Sequence, residues 1–293
     1  MENRKFFFLP HKSLIPLLIF IGTLCFSLIM PTNLNFSQLI GINKSKIKII
    51  NAKADNQQQF AEFKTAMEAA LNQQFKRQSL LSAAPSSFEG KVIYEIKTAS
   101  NKKVIALTFD DGPWEKTTRQ TLDILKKNNI KATFFVVGKA LQNNPQLGKQ
   151  IITEGHAIAN HTWNHWYHFM NPQAAAFEID KTTELIYQVT GVQTNLFRPP
   201  GGHLSNGLVA YAKSKKYATL MWSADSRDFQ KPAPAIMVNT VLKHARPGGI
   251  VLLHDGGGDR TNTIKALPQI IAKLKQQGYS FVTIPELLEM KDK

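Results

Sequence analysis

The 293-residue sequence contains a single cysteine, Cys25, which excludes an intrachain disulfide and a thiolate cluster around a metal. Any metal centre must therefore draw on histidine and carboxylate. Acidic residues are also scarce, 21 against 36 Lys and Arg, which raises nucleic acid as a partner. The distribution of charge argues against it. Residues 1–54 hold seven basic residues and one acid, leaving 29 against 20 spread over the remainder, with no arginine-rich stripe. Such a surface suits an anionic envelope polymer or a membrane face.

Long apolar runs are absent with one exception. Leu14–Met30 is free of charge and follows Arg4, Lys5 and Lys12, the pattern of an export signal or membrane anchor. The run is short for a spanning helix and long for the core of a cleaved signal. No small-x-small site follows it closely, since Ala52-Lys53-Ala54 lies far downstream, and Thr23-Leu24 before Cys25 lacks the small residue of a lipoprotein site. The expectation is an uncleaved anchor with the rest of the chain outside the cytoplasmic membrane, or secretion if the segment is cleaved.

Three regions are expected: 1–31 as cytoplasmic stub and anchor or signal segment, 32–86 as stalk or linker, and 87–293 as one globular domain. In the stalk, Phe60, Phe63, Met67, Leu71 and Phe75 recur at helical spacing, and Ala83-Ala84-Pro85-Ser86-Ser87 marks its end. Beyond Gly90, apolar runs alternate with amphipathic stretches: KVIALTF, KTTRQTLDILKKNN, KATFFVVG, a helix through Leu147 and Ile152, and HAIANH. The alternation continues with a helix through Ile179 and Leu185, NLFRPP, YATLMWSA, GGIVLLHD and YSFVTI. Buried apolar strands separated by helices predict an α/β fold, a distorted (β/α) barrel of about seven parallel strand-helix units.

Polar residues interrupt these runs where strands should end: Asp110-Asp111, His161 and His165, Arg198, Asp225 and Asp228, His254-Asp255. In a parallel barrel those ends share one face, where catalytic groups gather. His161 and His165 are spaced i, i+4, so on a helix both rings could reach one metal; alone, such a pair is as readily a helix surface or core pair. Adjacent carboxylates repel and need a cation or an arginine. Asp111 as third ligand and Asp110 as base would meet that need, while a turn with a capping aspartate is the plainer reading of Asp-Asp-Gly-Pro.

Five segments in order, TFDDGP at 108–113, HTWNH at 161–165, RPPGG at 198–202, DSRDF at 225–229 and LLH at 252–254, resemble the motifs of the polysaccharide deacetylase family. This is the NodB homology domain, also called carbohydrate esterase family 4, and the likeness spans roughly 102–288. The resemblance implies that Asp111, His161 and His165 bind a divalent metal, usually zinc, with cobalt or another ion as alternatives. It implies Asp110 as general base toward a metal-activated water, Arg198 as the arginine that orients it, and His254 as general acid with Asp228 raising its pKa. Gly201 would give a backbone N–H to the oxyanion, and Leu252 and Phe229 would line the acetyl-methyl pocket. Two positions depart from the pattern: Gly201 stands where many members carry an aromatic residue, removing one wall of the sugar site, and Phe229 stands where Trp is frequent.

The implied substrate is an N-acetylated polysaccharide, with peptidoglycan favoured by the N-terminal segment. Chitin-like oligomers, exopolysaccharide, acetylated xylan and a glycan-binding pseudoenzyme are the alternatives; no nucleic acid and no protein partner is inferred. His156, His168, His203 and His244 are read as structural, with His203 the one best placed to meet substrate. Trp163, Trp166 and Tyr167 are read as either sugar-stacking or a packed cluster. Gly256-Gly257-Gly258 lacks the Gly-Lys-[Ser/Thr] ending of a phosphate loop and is read as a flexible turn.

Overall fold

The computed structural model describes residues 61–69, 82–98 and 102–291. The apolar run Leu14–Met30 and most of the expected stalk lie outside the described residues. Among the described residues no helix is long and apolar enough to cross a membrane. The chain separates into two units between Gln74 and Phe75. Of the first, residues 61–69 are helical, which accords with the spacing of Phe63 and Met67.

Among the described residues the second unit has nine strands: β1 (Val92–Ile93), β2 (Val104–Asp110), β3 (Thr133–Val136), β4 (Ala157–Asn160), β5 (Leu196–Phe197), β6 (Ala218–Leu220), β7 (Ala224–Asp225), β8 (Gly249–His254) and β9 (Ser280–Phe281). Every strand pairing is parallel, in the order β1-β6-β5-β4-β3-β2-β8-β7, with β9 added on β2. The connections carry α1 (Thr117–Lys127), α2 (Gly138–Asn143), α3 (Pro145–Thr153), α4 (Pro172–Thr190), α5 (Leu208–Ser214), α6 (Pro234–His244) and α7 (Thr261–Gln276), and α8 (Ile284–Glu289) closes the chain.

The stretch YATLMWSA was expected to be one strand and is two. β6 lies next to one end of the sheet path and β7 at the other, yet only Met221–Ser223 separate them. Four Cα steps reach roughly 14 Å, so the two edges must nearly meet. The sheet is thus curled into a barrel with an open seam. The short strand β1, which joins β6 at that seam, escaped the sequence reading because Lys91–Ile96 shows no sustained apolar run.

Side-chain alternation sorts the strands into two cores. On β2, Ile105, Leu107 and Phe109 pack toward the helices with Phe134, Val251 and Leu253, together with Leu122 and Leu125 of α1 and Leu267, Ile270 and Ile271 of α7. The intervening Val104 and Ala106 pack instead with Phe135, Ala159, Leu196, Ala218 and Ile250. Small residues at three of these inward positions leave room for a larger polar side chain, and Arg198 continues the Leu196 side of β5 by two residues. Amphipathic α1 and α7 cover the sheet, with Lys126, Lys127, Lys273 and Lys275 in their last turns where the helix dipole favours cations.

Candidate active site

Strand register brings the key groups together. Asp110 ends β2 directly opposite His254, which ends β8, so two residues 144 positions apart sit one ladder spacing apart on the same face. Arg198 follows β5, and His161 follows β4. Each lies at the carboxyl end of its strand, and Asp110, His161 and His254 line one open cleft of about 1360 Å³ together with Tyr167, Gly201, Trp222, Leu252 and Phe229.

Arg198 is fully buried beneath this cleft. Its Nη1 donates to Asp110 Oδ1 at 2.7 Å and to Thr108 Oγ1 at 2.9 Å, Nε donates to Leu220 O at 2.9 Å, and Nη2 donates to Met221 O at 3.1 Å. The guanidinium also lies 4.0 Å from the centre of the Phe135 ring. A buried charge is tolerated when paired and hydrogen-bonded in this way. One oxygen of Asp110 is thereby fixed, and the other, Oδ2, lies 3.6 Å from His161 Nε2.

His161 and His165 do converge, but not on a helix. They occupy a loop in which Thr162 and His165 have φ of 69° and 61°, and Asp111 has φ of 76°. Non-glycine residues seldom adopt this region, and their clustering here marks backbone held by its surroundings. The supports are visible: the buried Glu178 of α4 accepts from the backbone N–H groups of Trp163 and Asn164, Asn160 accepts from Thr162 N, and Thr162 Oγ1 accepts from His165 N.

The fit of these residues to a divalent cation follows from their donor atoms. His161 Nδ1 lies 2.7 Å from Arg198 O, a carbonyl that can only accept, so Nδ1 carries the proton and Nε2 presents its lone pair. His161 Nε2 and His165 Nε2 stand 3.5 and 3.0 Å from Asp111 Oδ1, a buried oxygen without a hydrogen-bond partner. Ligands about 2.0–2.2 Å from one ion at tetrahedral angles are separated by roughly 3.4 Å. Burial pushes the Asp111 carboxyl up, but the two neighbouring histidines more than offset it and hold it well below the usual carboxylate range. Two imidazoles and one carboxylate make an open, catalytic type of site.

On the far side of the cleft His254 Nδ1 donates to Asp228 Oδ1 at 2.6 Å, while Asp228 Oδ2 accepts from His254 N at 2.8 Å and from Thr263 Oγ1 at 3.0 Å. Burial would push His254 down, yet the hydrogen bond and charge of Asp228, with Asp110 and Asp111 beyond, raise it to about 9. Leu252 is buried two residues before it, and Phe229 is 52% exposed at the rim.

Comparison with known proteins bears on this arrangement directly. Residues 97–220 match the family model described as polysaccharide deacetylase, a span that holds the first three motifs. A peptidoglycan-N-acetylglucosamine deacetylase of Bacillus cereus is 44% identical over 205 residues, covering 69% of this chain and 95% of that protein. The chain belongs to the polysaccharide deacetylase family. The PgdA peptidoglycan-N-acetylglucosamine deacetylase of Listeria monocytogenes is 38% identical to this deacetylase over 69% of its chain, but that match covers only 42% of the longer Listeria protein. Among solved structures, the Bc1960 peptidoglycan N-acetylglucosamine deacetylase in complex with 4-naphthalen-1-yl-N-oxidanyl-benzamide superposes with a TM-score of 0.64. It is 33% identical, over 69% of this chain and 94% of its own. BA3943, described as a CE4 family pseudoenzyme from Bacillus anthracis, gives 0.63 at 31% identity over 70% and 71%. The fold and the family expected from the motifs are thus found.

Three polar residues of this deacetylase were given no role in the sequence reading. Arg260 is buried, donates from Nε to Gly256 O at 2.6 Å, and places Nη2 3.6 Å from Asp111 Oδ2, the outer oxygen of the proposed ligand. Asp255 is buried under the Asp-Asp-Gly-Pro turn, accepts from Thr118 Oγ1 at 2.5 Å, and is pushed up to about 7 by burial, with Asp111 and Asp110 adding to the shift. Glu178, already named, is the third. The glycine run corrects its own reading as a merely flexible turn: a Cβ on Gly256 would strike Asp111 O, and one on Gly257 would strike Asp111 Oδ2. Close packing over the aspartates, rather than looseness, requires glycine there.

The other histidines are where a structural reading puts them. His156 is buried, accepts from Ala132 N at 3.1 Å, and is pushed by burial down to about 3, so it is a neutral core residue. His244 sits in the last turn of α6, and His168 packs against Trp166 at 5.1 Å.

The pairing of His254 with Asp228 makes a measurable claim. Asp228→Asn removes the charge that most raises the imidazole and should lower the His254 pKa by roughly 1–3 units, the usual effect of an adjacent opposite charge. Titration of the imidazole by NMR checks this; an unchanged value would mean that Asp228 does not set it.

Proposed function

We propose that this protein is a metal-dependent deacetylase acting outside the cytoplasmic membrane, which hydrolyses the acetamide of N-acetylglucosamine units in peptidoglycan. The observation that carries the reading is the meeting of three assemblies in one cleft: the Asp111, His161 and His165 donor set, the Arg198–Asp110 pair and the Asp228–His254 pair. A pure glycan-binding protein needs no such opposed acid and base. Peptidoglycan is supported by the names of the similar Bacillus and Listeria proteins. The apolar segment Leu14–Met30 supports an anchor in the cytoplasmic membrane, with the catalytic domain at 87–293 on its outer side.

Zinc is the proposed ion, because the donors are two imidazoles and one carboxylate without thiolate. Held by Asp111, His161 and His165, it would supply Lewis acidity toward the amide carbonyl and toward water. Asp110 takes the proton from the attacking water through Oδ2 while Arg198 holds Oδ1. As the new carbon–oxygen bond forms, the Gly201 N–H is proposed to meet the negative oxygen. The carbon–nitrogen bond then breaks, and protonated His254 gives its proton to the departing amine, leaving acetate and a free glucosamine. Leu252 and Phe229 form the acetyl-methyl pocket, where one methylene is worth only about 1–3 kcal/mol, so rejection of longer acyl groups is incomplete.

The test is acetate release by the zinc-loaded full-length protein from peptidoglycan, N-acetylglucosamine oligomers and acetylated xylan. The highest kcat/KM is expected on peptidoglycan. A preference for xylan would replace the amide substrate by an ester, and binding without acetate release would make the chain a pseudoenzyme.

A further inference from the structure

Glycine at position 201 leaves the sugar site without the aromatic side chain expected there, and the structure fills the place from another loop. A Cβ added to Gly201 would stand 2.8 Å from Cε1 and 3.1 Å from Cδ1 of Tyr167, so the phenol ring occupies the space that a side chain at 201 would need. Gly201 also has φ of 60°, in the left-handed region that glycine adopts without strain. The neighbouring Gly202 repeats the arrangement, with φ of 71° and Cη2 of Trp222 2.8 Å from its Cβ position. Two successive glycines are thus each covered by an aromatic ring, and both rings line the cleft.

Tyr167 is held between two histidines. Its ring meets His165 at 5.1 Å and 82°, and His203 at 5.6 Å and 75°, both edge-to-face arrangements. The side chain nevertheless remains 54% exposed. An aromatic ring fixed by its neighbours and open to a cleft loses little freedom on binding. The adjacent aromatics do not share this position. Trp163 is buried with the Lys181 ammonium 3.9 Å over its ring, and Trp166 packs on His168 outside the residues that line the cleft.

We propose that Tyr167 is the aromatic wall of the sugar site, taking the place left by Gly201, and that it carries much of the affinity for the pyranose ring beside the metal ligands. The apolar C–H face of a pyranose packs on such a ring without using the phenolic oxygen. This rests on the deacetylase reading of the cleft, and the test separates the two. Binding of the N-acetylglucosamine tetramer is measured by calorimetry on zinc-loaded, full-length protein carrying Asp110→Asn, so that turnover does not intrude. Adding Tyr167→Ala is expected to weaken Kd roughly 10-fold, and adding Tyr167→Phe to leave it within about twofold, since the ring supplies the contact. A Kd unchanged by Tyr167→Ala, an equal loss in Tyr167→Phe, or no binding by the Asp110→Asn parent each overturns the proposal. Failure of the deacetylase reading shows instead as absence of acetate release by the wild-type protein, whatever Tyr167 does to Kd.

Discussion

Asp110→Asn is expected to lower kcat by at least about 100-fold on an N-acetylglucosamine oligomer, the scale on which a general base contributes. The asparagine keeps an acceptor toward Arg198 Nη1, now 2.7 Å from Asp110 Oδ1, but it has no basic oxygen to take a proton from water. Metal content should stay near one per chain, because the donor set is built on Asp111, His161 and His165. Thermal stability should fall as well, since the guanidinium of Arg198 is fully buried and loses its counter-charge. The kinetic assay therefore belongs well below the midpoint of the variant's thermal transition. Wild-type turnover by Asp110→Asn would remove the base from the mechanism, whereas loss of metal together with turnover would recast Asp110 as a ligand.

An effect of similar size is expected at the donor set. His161→Ala or His165→Ala leaves two protein donors, and each should weaken zinc binding by more than roughly 100-fold, beyond the 10–100-fold typical of losing an outer-shell partner. Elemental analysis after dialysis measures this without reference to activity. The wild-type protein should also gain thermal stability on adding zinc, since a ligand at 100 times its Kd contributes about 2.7 kcal/mol. Neither variant should show that gain. Stoichiometric zinc retained by both would take these histidines out of the site, and chelation that leaves wild-type turnover intact would deny a metal any part in the reaction.

Much of this architecture was legible in the sequence because two simple signals coincide. Apolar runs mark the parallel strands, and the first ionisable residues after them mark the face where the site forms, as with Asp110 after Phe109 and His254 after Leu253. The route by which His161 and His165 meet was not legible. An i, i+4 spacing suggests a helix, but the segment is a loop with left-handed residues at Thr162 and His165, held by the adjacent Asn160 and by Glu178 of α4. The break between β6 and β7 was hidden for a related reason: Met221 and Trp222 are apolar like strand residues, and only sheet closure shows that the chain steps across a seam there. Tyr167, Arg260 and Asp255 could not be assigned because their roles depend on neighbours distant in sequence. Glycines offered a clue to such close approaches: Gly201 lies against Tyr167, Gly112 against Asp255, and Gly256 and Gly257 against Asp111.

The register of β2 against β8 has an evolutionary consequence. Inserting or deleting one residue within Val104–Asp110 would turn Asp110 toward the helices and bring Phe109 into the lumen, because strand side chains alternate faces. Length changes in this strand are therefore closed to gradual selection, while substitutions at the rim, at Gly201, Tyr167 and Phe229, change the lining of the cleft without altering the register that pairs Asp110 with His254. Lineages sharing this barrel are expected to diverge by exchanging rim side chains between loops, so that an aromatic lost at one position reappears at another.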